Sequence, residues 1–169
     1  MGAAEVGSTR VGEAVSAELE KQVKVVDNDI DGHLKKTDEW KSELELLSTV
    51  PGVGRVTVVA LLSQLPELGF LDRKRIAALV GLAPLNNDSG KSRGQRSIRG
   101  GRADVRTALY MATLAGITHN PALKAHFNAL KARGKSGKVS MVACMRRLLT
   151  WLNAMLATST PWTQELTAA

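Results

Sequence analysis

The chain has 169 residues, a net charge of +7, 44% hydrophobic and only 4% aromatic residues. Such a composition supports an aliphatic, helix-leaning core in one compact domain, or one domain with an extension. The single cysteine, Cys144, excludes a disulfide framework and a cysteine-based zinc site. No apolar run reaches the ~18 residues of a membrane span, and no apolar signal stretch opens the chain, so a soluble, cytoplasmic protein with no membrane partner is expected.

The charge is split along the chain. Residues 1–50 carry 6 Lys/Arg against 11 Asp/Glu, a net of −5, while residues 51–169 carry 17 against 5, a net of +12. The sign change marks a boundary near residue 48 and gives the second part the signature of a polyanion binder.

Residues 1–11 read as a flexible lead-in. Residues 12–48 predict one long helix, with Leu19, Val23, Val26, Ile30, His33, Thr37, Trp40, Leu44 and Leu47 spaced alternately four and three apart. That is the seam of a left-handed coiled coil, held for about four heptads. Its use as a dimerisation arm is weighed against plain packing on the chain's own domain. Asp27, Asp29, Asp31, Asp38 and Glu39 fall on this helix as solvated or interhelical charges.

A helix-hairpin-helix signature is expected over about 45–64. The Pro51-Gly52-Val53-Gly54 turn stops one helix, and Gly54 opens the next, ahead of Arg55 and Val56 to Leu62. Gly52 and Gly54 allow a tight bend and a close approach to a phosphate, the new helix N-terminus faces that anion, and Arg55 adds charge. An ordinary helix turn is the competing reading. Asp72 is an N-cap for a helix from Arg73 to Val80 that ends at Gly81.

Residues 81–102 form a Gly/Arg-rich loop holding 5 of the 15 glycines together with Lys91, Arg93, Arg96, Arg99 and Arg102. Neither Gly90-Lys91-Ser92 nor Gly134-Lys135-Ser136 is a P-loop, because Leu85 and Ala129 stand where that pattern needs glycine. Ser89 follows Asn86-Asn87-Asp88 and precedes Gly90, which would suit a nucleophile whose target phosphate is held by arginines. With no histidine near it in sequence, the residues alone favour a turn serine.

The remaining helices are expected at 102–117, at 121–132 with Pro121 in the first turn, and at 139–156. Tyr110 and Trp151 are assigned to the core with Cys144, Met145, Leu148, Leu149, Leu152 and Met155. His119 and His126 lack metal-ligand spacing, so a cap or surface role is expected and no metal site is assigned.

In order, Pro51-Gly52-Val53-Gly54, Ala78 to Pro84, Ser89-Gly90, Ile98-Arg99-Gly100-Gly101, Asp104 to Met111, His119-Asn120-Pro121, Phe127, Gly134-Lys135, Ala143 to Leu149 and Asn153 closely resemble the C-terminal transposase domain of the IS-110 class of insertion-sequence transposases. The resemblance spans roughly residues 45–163. It implies a DNA recombinase with a composite active site. A RuvC-like domain with four carboxylates binds Mg²⁺, and the C-terminal domain supplies a serine that links covalently to DNA. A coiled-coil arm joins the two, and some members use a bridge-type guide RNA.

Carried over, the serine falls on Ser89, with Ser97 and Ser92 as alternatives. The DNA-binding set is Gly52, Gly54, Arg55, Lys91, Arg93, Arg96, Arg99, Arg102 and Arg106. The expected organisation is a mainly α protein: lead-in 1–11, arm 12–48, transposase domain 49–160 and tail 161–169. DNA and a second copy of the chain are the expected partners, with a guide RNA as a further one. No carboxylate domain is recognised, so no cofactor is expected in this chain, Mg²⁺ entering only through a missing or separate RuvC-like domain, and cleavage alone is not expected. The rival reading is a non-catalytic dimeric DNA- or RNA-binding regulator or remnant.

Overall fold

The computed structural model describes residues 3–34, 38–84, 98 and 100–163. Among them every regular element is a helix: α1 (Ala3–Leu34), α2 (Asp38–Ser48), α3 (Arg55–Gln64), α4 (Arg73–Val80), α5 (Ala103–His119), α6 (Pro121–Ala132) and α7 (Gly137–Thr158). No helix among the described residues is long and apolar enough to cross a membrane. The chain divides into two compact units, Met1–Lys41 and Ser42–Ala169.

The first unit is built on α1. It begins at Ala3, so most of the lead-in expected over 1–11 is helix. Gly7 and Gly12 each cost about 1 kcal/mol there, but alanines, glutamates and Arg10 favour the helical state. The segment expected as one helix over 12–48 is described as two spans, α1 and α2. Leu19, Val23 and Val26 are 56–60% exposed, an apolar stripe open along α1.

The second unit has α5 at its centre, packed against α3, α4, α6 and α7. Its core is the aliphatic one the composition predicts: Leu61, Ile76, Leu82, Leu109, Leu123, Leu148, Leu149, Leu152 and Met155 are all fully buried. Leu47, the last position of the coiled-coil seam, is also fully buried. The unit therefore starts at Ser42, earlier than the charge boundary at 48, because the end of α2 supplies core.

Local chemistry explains the helix ends. The Asp72 carboxylate accepts hydrogen bonds from the amides of Lys74 (2.7 Å) and Arg75 (2.9 Å), as its N-cap reading requires. Those two amide bonds hold its carboxyl below the usual range. Gly81 closes α4 in the left-handed conformation. Asn120 caps α6 through the amides of Ala122 and Leu123, with Pro121 in the first turn. Ser136 caps α7.

Asn153 sits 7% exposed on α7. Its side-chain oxygen accepts from the Gly69 amide (2.9 Å) and its nitrogen donates to the Leu71 carbonyl (2.8 Å), fastening the α3–α4 link to α7. The residues expected as tail begin with structure too. The Trp162 amide donates to Thr49 Oγ1 (3.0 Å), and the Trp162 ring meets Trp151 edge-on at 4.8 Å.

Candidate nucleic-acid interface

The turn between α2 and α3 places its two glycines differently. Gly52 has φ +93, and a Cβ there would overlap the Cα of Gly116 on α5. The space freed by its missing side chain is filled by the protein's own backbone. Gly54 precedes α3 with φ −87, meets nothing within 4 Å of an added Cβ, and caps the helix without a side-chain bond. The α3 N-terminus with exposed Arg55 is thus the part of the turn that faces outward. Arg55 also has a partner within the chain.

The Gly/Arg-rich loop leaves α4 at Gly81 and returns at Gly100-Gly101. Those two ends touch. A Cβ on Gly101 would overlap the Gly81 amide and the Val80 carbonyl carbon, and one on Gly81 would overlap the Gly100 carbonyl. Only glycine permits that approach.

Two arginines expected to hold DNA also have partners within the chain. Arg102 binds both Glu67 oxygens at 2.6 Å and donates to the Gln64 carbonyl at 2.8 Å. The bidentate pair holds the Glu67 carboxyl below its ordinary range and raises the guanidinium's own pKa. Arg106 donates through one nitrogen to the Val80 carbonyl (3.0 Å) and the Gly100 carbonyl. The charge of Arg102 is neutralised by Glu67; the charge of Arg106 rests against neutral carbonyls. Sequence reasoning missed this because a local charge run gives no sign of a partner 35 residues away.

Ser89, Ser92, Ser97, Lys91, Arg93, Arg96 and Arg99 lie outside the described residues. Arg73, Lys74 and Arg75 are exposed at the start of α4, where Asp72 offsets their charge and pairs with Arg75 at 3.4 Å.

Tyr110, assigned to the core from sequence, is 43% exposed, whereas Trp151 is buried at 6%. Tyr110 lines an open groove with residues of α6 and α7, and a helix this apolar on all faces gives no periodic signal of which side is open. His119 is exposed. His126 Nδ1 lies 3.1 Å from the Arg147 guanidinium, which also sits over the Trp151 ring at 5.3 Å. Burial, then Arg147 and Arg133, push the His126 pKa down. Burial lifts the Cys144 thiol to about 11.

The metal chemistry implied by the family has no donor set here: among the described residues no three His, Cys, Asp or Glu side chains gather to hold an ion. The described residues therefore offer no donor set for Mg²⁺.

The family model described as "Transposase IS116/IS110/IS902 family" matches residues 44–128, which takes in the α2–α3 turn, the loop, all of α5 and most of α6. The pilin gene-inverting protein of Moraxella bovis is 31% identical over 134 residues, 77% of this chain and 42% of that protein. A 43.6 kDa protein of insertion element IS110 from Streptomyces coelicolor is 29% identical over 125 residues, 73% of this chain and 31% of its own length. A 42 kDa protein of insertion element IS900 from Mycobacterium paratuberculosis is 29% identical over 149 residues, 84% and 37%. The chain thus spans less than half the length of these relatives. With half of its residues matched by that model, the chain belongs to the IS116/IS110/IS902 family of transposases.

Proposed function

We propose that this chain is the DNA-gripping, serine-bearing portion of an insertion-sequence transposase. The observation that carries the reading is the extent of the family match. Residues 44–128 include both the outward-facing start of α3 and the clasped loop with its cations. Relatives of this chain are named for inverting a pilin gene, and a DNA rearrangement of that kind is the activity proposed for the protein to which it contributes.

In this reading, Gly54, Arg55 and the α3 amides hold backbone phosphate, while Lys91, Arg93, Arg96 and Arg99 surround the scissile one. Arg106 closes the base of the loop, Arg102 ties its returning end to Glu67, and both add charge beside the DNA. Ser89, with Ser97 and Ser92 as alternatives, attacks phosphorus through its hydroxyl: the Oγ–P bond forms as the bond from phosphorus to the sugar oxygen breaks, and the hydroxyl proton ends on the departing sugar oxygen. The open stripe on α1 pairs with a second copy of the chain. A bridge-type guide RNA enters as a competing ligand for the same basic surface.

Titrating the full chain with duplex DNA and structured RNA across a salt series tests the binding half. DNA affinity is expected to fall on a log–log plot by about 0.9 units per phosphate contact. Charge reversal of Arg93, Arg96 and Arg99 together should remove most of it. A salt-independent affinity, or full binding by the reversed variant, contradicts the proposal.

A further inference from the structure

A groove of about 710 Å³ opens beside the returning limb of the loop, walled by Ile98, Tyr110, Phe127, Met141 and Met145. Its size suits a small ligand site. The walls are apolar and include two aromatic rings, and no acid lines them among the described residues. Two cations do, Arg106 and Lys138. Arg106 is held in place by the Val80 and Gly100 carbonyls, so it is oriented without being neutralised. Lys138 lies in the first turn of α7, which contains no acidic residue, so the positive end of the helix adds to its charge.

Apolar walls carrying two aromatic rings beside an oriented positive rim suit a nucleobase with its phosphate. An apolar protein segment would satisfy the walls but leave both cations without an anion. We propose that this groove takes a single unstacked nucleotide of a DNA strand, its base against Tyr110 and Phe127 and its phosphate at Arg106 and Lys138. Unstacking is easiest where a base is already unpaired, so such a site favours bulged or displaced nucleotides. The inference rests on the DNA-binding reading above and does not depend on which serine reacts.

Fluorescence anisotropy on the full chain with three short duplexes tests it: fully paired, with one bulged adenine, and with an abasic bulge. The bulged adenine is expected to bind about tenfold tighter than the paired duplex, and the abasic bulge to lose that gain. Tyr110→Ala, at a half-exposed position, should abolish the preference while leaving paired-duplex affinity within about twofold. Lys138→Gln should weaken the bulged probe about threefold more than the paired one, and it keeps the test open if Tyr110→Ala unfolds.

Equal affinity for paired and bulged duplexes, or a preference that survives both substitutions, overturns the pocket while leaving general DNA binding intact. So does a change of oligomeric state in Tyr110→Ala with the preference unchanged, which would make the groove a protein contact. Failure to bind any duplex overturns the DNA-binding reading itself.

Discussion

α1 and α7 are the two longest helices, and similar apolar spacing has opposite outcomes in them. On α7, Cys144, Leu148, Leu149, Leu152 and Met155 are at most 1% exposed. On α1, Leu19, Val23 and Val26 remain more than half exposed. A periodic apolar stripe specifies a helix and a face; whether that face is buried depends on what the rest of the chain brings to it. In α7 the partners are α4, α5 and α6. The narrow four-three seam of α1 suits another helix of the same kind.

The sharpest break of that comparison is a leucine truncated on each helix. Leu148→Ala should destabilise the second unit by about 2–5 kcal/mol, read by denaturant unfolding. Leu19→Ala should change the same transition by less than about 0.5 kcal/mol. Aspartates at Val26 and Ile30 should instead abolish self-association in sedimentation while leaving that transition unchanged. An unmodified chain that is monomeric at tens of micromolar would remove the case for an arm.

The two glycines of the α2–α3 turn repeat the contrast on a smaller scale. Gly52→Ala meets both a positive φ and the α5 backbone, so a loss of about 2–4 kcal/mol is expected. Gly54→Ala meets nothing and should cost less than about 1 kcal/mol, the difference between glycine and alanine at an N-cap. Equal effects would mean that Gly52 is not locked against Gly116.

Helix identity and most caps were legible in the sequence because they depend on neighbours a few residues apart. Asp72, Gly81 and Pro121 all do what their positions suggest. The family was legible for a related reason, since its short motifs keep their order along the chain. What the sequence could not show was long-range. The Gly52–Gly116 contact, the Arg102–Glu67 pair and the Asn153 bonds join residues 35 to 84 positions apart or, for the glycines, elements separated by two helices. Two arginines read as DNA ligands have partners within the chain as well, and one tyrosine read as core is half-exposed.

Smaller effects come from titration. Glu67 is held below its ordinary range by Arg102, so the pair stabilises the fold above the usual carboxylate pKa, and that contribution is lost as pH falls through the lowered value. Glu67→Gln should flatten this acid limb, modestly, because the pair is about one-third exposed. His126 titrates with its pKa depressed, so the unfolded chain takes up a proton first. Stability should therefore be full above about pH 6.5 and decline as pH falls below it, and His126→Asn should remove the decline. Thermal unfolding at a series of pH values measures both.

The most direct test of the proposed function is chemical. The chain would be mixed with the remainder of a full-length family member and duplex carrying the element end, and any covalent protein–DNA adduct mapped by peptide mass spectrometry. The account predicts a phosphoserine link at Ser89. Ser89→Ala should abolish it while DNA binding persists, because one hydroxyl adds little to a contact dominated by charge. Ser92→Ala and Ser97→Ala should both retain it. An adduct that survives Ser89→Ala and disappears with Ser97→Ala would move the nucleophile. Retained DNA binding with no serine adduct in the complemented reaction would contradict the account and leave a DNA-binding regulator in its place.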